Sequence, residues 1–310
     1  MNLCVNGLGV FLEYASIAHS DLKASVIGFG TVFRGGITKD SPKVIEAALD
    51  LGVALIDTAE IYGDGLSEKI FGEVIKGRRD EVVLVSKVSG DHLRYDEVLR
   101  SVEGSLRRLD TDFIDLYLVH WPNQNVPLSE TMRAMERLVT EGKLRYIGVS
   151  NFDVGQLKKA NEELSRCEVI VNEVKYNLLE REVEDEVLPF CQKENIAILA
   201  YGPLARGLLT ERFTDAHRIP DDDWRSGDWF YEGESFKKGL DMVAVLKEIG
   251  ADYGKTAGQV AINWLLAKRM VFPIFGASNV EQVEENCGAA DWRMDKSARE
   301  RLSVKKIGLN

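Results

Sequence analysis

Asp57, Tyr62, Lys87, His120, Ser150, Asn151 and Glu173 are residues whose types and positions suit chemistry. Tyr62 lies five residues after Asp57 in Asp57-Thr58-Ala59-Glu60-Ile61-Tyr62-Gly63. Lys87 follows the apolar run Val82 to Ser86, and His120 precedes Trp121. A carboxylate, a phenol, an ammonium and an imidazole are groups through which proteins move protons and steady developing charge. Taken singly, each has a plainer reading. An Asp after a strand is commonly a helix cap, a loop Lys is commonly solvated, and a His-Trp pair commonly packs. The set gains weight because its members recur at one kind of place, just after a short apolar run.

Those runs alternate with segments at helical spacing. Ser25–Gly28, Val53–Ile56, Val82–Ser86, Phe113–Val119, Tyr146–Val149, Val169–Asn172, Ile196–Ala200 and Val271–Phe275 read as strands. Helices are expected from the Ser41-Pro42 pair, over Ser67–Ile75 and Tyr95–Leu109, and over Ser129–Glu141 with Gly142 as its cap. Others begin near Val154 and Glu182, and Phe236–Ile249, Thr256–Ala267, Val280–Gly288 and Ser297–Lys306 complete the set. Eight strands, each followed by a helix and each continuously apolar, predict an α/β chain with a (β/α)8 TIM barrel. A doubly wound dinucleotide fold would want GxGxxG after its first strand, and Gly28-Phe29-Gly30-Thr31-Val32-Phe33 lacks the third glycine. Barrel chemistry sits at the C-terminal ends of strands, and the residues named above fall there.

The expected organisation is an N-terminal extension or hairpin over residues 1–24, the barrel over 25–289, and a C-terminal helix packed on it over 290–310. Gly207 to Ser235 is long and polar, carries Trp224, Trp229, Phe230 and Tyr231, and is either disordered or a functional lid.

The 310 residues are 45% hydrophobic and 29% charged, an ordinary globular balance. Lys plus Arg number 39 against 50 Asp plus Glu, a net charge of −11. An acidic chain without a basic cluster is a poor partner for nucleic acid. No run reaches the roughly 18 apolar residues of a membrane span. No Lys or Arg precedes Lys23, so the apolar patch Leu8 to Leu12 lacks the positive flank of a secretory signal, and the chain reads as cytoplasmic. Cys4, Cys167, Cys191 and Cys287 are far apart and form no CxxC, which reads as free thiols and no metal site.

Seven segments in order resemble the aldo-keto reductase family, in its bacterial and plant-type branch. They are Asp57 to Gly63; Lys87 after its strand; Ile114 to Pro122; Ile147 to Phe152; Val171 to Asn177; Ala200 to Leu209; and Pro273 to Asn286. The resemblance runs from about Ser25 to Ala289. It implies NAD(P)H-dependent, reversible reduction of small aldehydes and ketones to alcohols, with Asp57, Tyr62, Lys87 and His120 as the catalytic four. Tyr62 would be the acid, Lys87 the cation that lowers its pKa, Asp57 the partner of Lys87, and His120 the group that orients the carbonyl. Implied cofactor residues are Thr31, Ser150, Asn151 and Glu173 near the nicotinamide, with Tyr201 stacked under it. Leu204, Arg206 and Leu208 would cover the pyrophosphate, and Gly276, Ser278, Gln282, Glu285 and Asn286 the adenosine end. Phe33, Trp121 and the aromatics of the Trp224 to Tyr231 loop, Trp229 among them, are expected at the substrate pocket.

Two positions depart from the family pattern. Glu173 stands where glutamine is common, which would favour the oxidised, cationic ring. The stretch Phe275-Gly-Ala-Ser-Asn279 carries no Lys or Arg for a 2′-phosphate, so the implied NADP(H) competes with NAD(H) or dual use. Two other readings stand beside the reductase: a nicotinamide-binding regulatory subunit with slow or no turnover, and a cofactor-free isomerase using Asp57 and Lys87. The sequence leaves the oligomeric state open.

Overall fold

The structure, a computed structural model, describes residues 3–5, 11–33, 35–214 and 219–304. Strands β1 (Leu3–Val5), β2 (Phe11–Ser16) and β3 (Lys23–Ser25) form a small antiparallel sheet. Eight parallel strands then close into a barrel in chain order. They are β4 (Gly28–Gly30), β5 (Leu55–Asp57), β6 (Val83–Val88), β7 (Ile114–Val119), β8 (Leu144–Ser150), β9 (Val169–Lys175), β10 (Ala197–Tyr201) and β11 (Val271–Phe275). Helices α1 (Ser41–Asp50), α2 (Leu66–Val74), α3 (Tyr95–Leu109), α4 (Leu128–Thr140), α5 (Val154–Glu162) and α6 (Val187–Lys193) follow successive strands. The pair α7 (Gly233–Tyr253) and α8 (Ala257–Leu266) precedes β11, and α9 (Val280–Cys287) and α10 (Lys296–Val304) follow it. This is the (β/α)8 architecture that the alternation of periods predicts.

The strands are continuously apolar because both faces are covered. Leu55, Val83, Val85, Leu116, Leu118, Val171, Leu199 and Ile274 fill the barrel interior, while Ile56, Leu84, Tyr117 and Ile147 pack outward with the apolar stripes of the helices. Ile17, Leu22 and Ala24 belong to the interior cluster, so the turn between β2 and β3 plugs the N-terminal end of the barrel. A polar collar holds that plug. Arg145 donates to Asp21 at 2.9 Å and to Asp115 at 2.8 Å, and Ser25 Oγ accepts from the backbone N–H of Ala54 at 2.9 Å.

The first barrel strand lies later than Ser25–Gly28. Lys23–Ser25 pairs antiparallel with β2, and it is Gly28–Gly30 that pairs with β5 and β11. Glycine is a poor strand former on its own, yet a Cβ at Gly28 would overlap Ile274 inside the barrel. The helix expected near Glu182 is a 3-10 turn over Glu182–Glu184 followed by α6. Glu184 accepts from Tyr176 Oη at 2.5 Å and Arg181 Nη2 at 2.7 Å, contacts that hold the turn in place of a first helical turn. Helix α10 begins at Lys296; the expected end at Lys306 lies outside the described residues.

Cys167, Cys191 and Cys287 form no disulfide; the side chain of Cys4 lies outside the described residues. Among the described residues no helix is long and apolar enough to cross a membrane.

Candidate active site

Strand ends set the geometry. Asp57 is the last residue of β5, Lys87 the fifth of β6 and Glu173 the fifth of β9, while His120 follows β7 directly. Lys87 is fully buried. Its Nζ donates to Asp57 Oδ1, to the Thr58 carbonyl at 3.0 Å and to Tyr62 Oη at 3.3 Å, and stands 3.4 Å from Glu173 Oε2. The Tyr62 and His120 rings meet edge to face at 5.7 Å, and His120 lies 4.7 Å from the Trp121 ring. Trp121 can lie there because Gly90 has no side chain; a Cβ at Gly90 would overlap the indole.

The charges follow from this packing. Burial alone would lower the Lys87 ammonium, but the carboxylates of Asp57 and Glu173 outweigh it and raise its pKa. Burial raises Asp57, with Lys87 pulling it back. Glu173 is pushed up to about 8 by burial and by the charge of Asp57. His120 is lowered to about 3 by burial and by Lys87, so its imidazole is neutral. Lys87 does draw the Tyr62 phenol down, as expected from the sequence. Burial outweighs it, with Asp57 and Glu173 adding to the rise, and the net shift is upward.

A cavity of about 440 Å³ opens from these groups, within the range of small-ligand sites. Asp57, Tyr62, His120, Trp121, Ser150, Asn151 and Glu173 line its inner end. Tyr201, Leu204 and Arg206 line one wall, and Gly276, Ser278, Gln282, Glu285 and Asn286 line the far end. Tyr201 Oη donates to Asn151 Oδ1 at 3.0 Å, and Asn151 Nδ2 donates to the His120 carbonyl at 3.1 Å. Asn151 holds a left-handed backbone (φ 61°), which Asn tolerates better than most residues. At the far end Ser278 N–H donates to Gln282 Oε1 at 3.0 Å, and Glu285 Oε1 accepts from Thr256 Oγ1 at 2.8 Å.

The segment before α7 packs on the Leu204–Thr210 turn. Arg206 Nη1 donates to Asp228 Oδ1 at 3.0 Å, Tyr231 Oη donates to the Arg206 carbonyl at 2.8 Å, and Phe230 is fully buried. Asp215 to Arg218 lie outside the described residues.

Lys87 is buried outside the cavity lining, and four more expected residues stand off the cavity. Thr31 is buried beneath it, its hydroxyl donating to the Asp57 carbonyl at 3.0 Å, so it steadies the end of β5. Leu208 is fully buried under the turn it belongs to. Phe33 packs toward Phe29 with ring centroids 6.4 Å apart, and Trp229 stacks on Phe230 at 4.1 Å. Of the aromatic loop it is Trp224 that lines the cavity, and Lys175, Glu180, Arg212 and Arg225 line it beyond the expected set. Lys175 ends β9, and the strand-end rule applied there would have found it. Arg212 and Arg225 carry no local signal, because only tertiary folding brings their loop over the barrel mouth.

The sequence model of the aldo/keto reductase family matches residues 26–305. Aldo-keto reductase YhdN of Bacillus subtilis is 38% identical over 94% of this chain and 93% of its own length. Methylglyoxal reductase YeaE of Escherichia coli is 33% identical over 87% of each chain. A crystal structure of an aldo/keto reductase from Klebsiella pneumoniae with NADP and acetate is similar at a TM-score of 0.75 and 32% identity, covering 93% of this chain and 94% of that one. The match of barrel, strand-end residues and sequence over nearly the whole length has one reading: the chain belongs to the aldo/keto reductase family of oxidoreductases.

Proposed function

We propose that the protein reduces small aldehydes or ketones to alcohols, reversibly, with a nicotinamide cofactor and with Tyr62 as the general acid. The observation that carries this reading is the 3.3 Å contact between Lys87 Nζ and Tyr62 Oη at the inner end of the cavity. The residues present suit the cofactor. His120 Nδ1 and Glu173 Oε2 are buried atoms of cavity-lining residues with no hydrogen-bond partner among the described residues. Ser150, Asn151 and Glu173 would hold the carboxamide, Tyr201 the ring face, Leu204 and Arg206 the pyrophosphate, and Gly276 to Asn286 the adenosine. A bound reduced nicotinamide supplies the two-electron equivalent.

The chain's own groups do the rest. Tyr62 gives its proton to the carbonyl oxygen as negative charge grows there, and burial keeps the phenol protonated until that moment. Lys87 stabilises the phenolate that remains. Neutral His120 donates an N–H that orients the oxygen without adding charge. NADP(H) is the first expectation for this chain, in line with the Klebsiella relative, while Phe275 to Asn286 carries no cation for a 2′-phosphate and favours tolerance of NAD(H). The test is consumption of NADPH and NADH over a panel of small aldehydes and ketones. Turnover that Tyr62→Phe abolishes supports the reading, and turnover unaffected by it refutes it.

A further inference from the structure

Two carboxyl groups, Asp57 and Glu173, face one ammonium, Lys87, and all three side chains are buried. Fully ionised, the trio carries a net negative charge that a poorly solvated site resists. The proton that relieves it resides on Glu173, which is raised to about 8 by burial and by the charge of Asp57. Its Oε2 accepts no hydrogen bond among the described residues, although Glu173 lines the cavity. The flanking strands place Ser150 and Leu199 in register with it, and neither titrates. The titratable groups around it are Asp57 from β5, Tyr62 from the loop after β5, Lys87 from β6 and His120 after β7, which is neutral. Lys175 on its own strand pairs with Glu180 at 2.5 Å.

We propose that Glu173 reads the charge of the bound nicotinamide: it is a neutral acid beside the reduced ring and a carboxylate beside the oxidised, cationic ring. The inference rests on the cofactor reading above. A cation next to a buried carboxyl favours its ionised form, and by linkage the ionised form holds the cation more tightly. When oxidised cofactor binds the resting protein, the proton leaves to solvent. During carbonyl reduction it has a second destination. Glu173 passes its proton to Lys87 as Lys87 passes one to the Tyr62 phenolate, across separations of 3.4 and 3.3 Å. Lys87 ends as it began, Tyr62 regains the proton given to the substrate, and Glu173 is left ionised. Release of oxidised cofactor lets Glu173 take a proton back from water.

Titration calorimetry at pH 7 in two buffers of different ionisation enthalpy tests this with NADP+ and NADPH as probes. The expected result is close to one proton released per NADP+ bound and none per NADPH. The Kd ratio of NADP+ to NADPH should fall with rising pH, by up to about tenfold per pH unit below pH 8. The 2′-phosphate is common to both probes and cancels in the ratio. Glu173→Gln should abolish the release and flatten the ratio, and Glu173→Asp should retain the release. Binding of both probes to the wild type without proton release overturns the inference alone, as does unchanged release in Glu173→Gln. If that variant does not fold, the wild-type release and Glu173→Asp decide. If neither binds, NAD+ and NADH replace them with the same expectations, and absence of binding by all four overturns the cofactor reading and this inference together.

Discussion

The acidity of Tyr62 depends on which of its neighbours carries charge, and each can be changed singly. Tyr62→Phe removes the acid and nothing that shapes the cavity, so kcat should fall by about 10²- to 10⁴-fold while cofactor affinity is kept. Lys87→Met leaves Asp57 and Glu173 buried without their cation, a change that should cost about 3–5 kcal/mol in urea denaturation as well as activity. Glu173→Gln acts in the opposite direction. The folded carboxyl titrates near 8, above its unfolded value, so its burial costs nothing below about pH 4 and increasingly more as pH rises toward 8. The variant should therefore match the wild type in acid and be the more stable at pH 8; equal stability at both would contradict the assigned proton. His120, lowered to about 3, should contribute no limb to the kcat/KM profile between pH 5 and 8. A limb in that range that vanishes in His120→Asn would contradict its neutrality. At this scale the sequence was informative about residue types, since Asp57, Tyr62, Lys87 and His120 do converge. It was not informative about the sign of the Tyr62 shift, which is set by how deeply the phenol is buried and by two carboxylates from different strands.

Elements place these groups, and two small features govern the placement. Gly90 lets the Trp121 indole lie beside His120, so Gly90→Ala should displace the ring, raise KM for substrate, and lower stability by about 1–3 kcal/mol. Asp228 accepts from Arg206 and from the Phe230 N–H, and it pins the segment before α7 to the turn after β10. Asp228→Ala should raise the cofactor Kd several-fold with little change in kcat; an unchanged Kd would remove that segment from the cofactor site. Strands β5 to β11 were legible because burial on both faces writes a continuous apolar run into the sequence. Strand β4 lies later than the sequence suggests because its pairing residues include two glycines, and the place of Gly28 is dictated by Ile274 across the barrel rather than by local preference. Thr31 and Leu208 show the same limit. Each stands in a stretch that reaches the cavity, and the direction of one side chain within a turn is decided by packing beneath it.

The whole barrel gathers a cavity from residues between Gly30 at the end of β4 and Asn286 in α9, with the antiparallel sheet sealing the opposite end. That closure was open in the sequence between a hairpin and an extension, because Asp21 meets Arg145 across 124 positions. The distant cations follow the same logic: Arg212 and Arg225 come to the mouth through a loop with no periodicity to read. On the proposed function, this cavity joins a nicotinamide to a carbonyl substrate with Tyr62 as the proton donor. The most direct test of that function is the rate of NADPH and NADH oxidation by the purified protein on small aldehydes, compared with Tyr62→Phe under the same conditions. The wild type should turn over, and the variant should lose at least about a hundredfold while still binding cofactor. Equal rates for the two proteins, or bound cofactor with no turnover on any carbonyl tested, would contradict it.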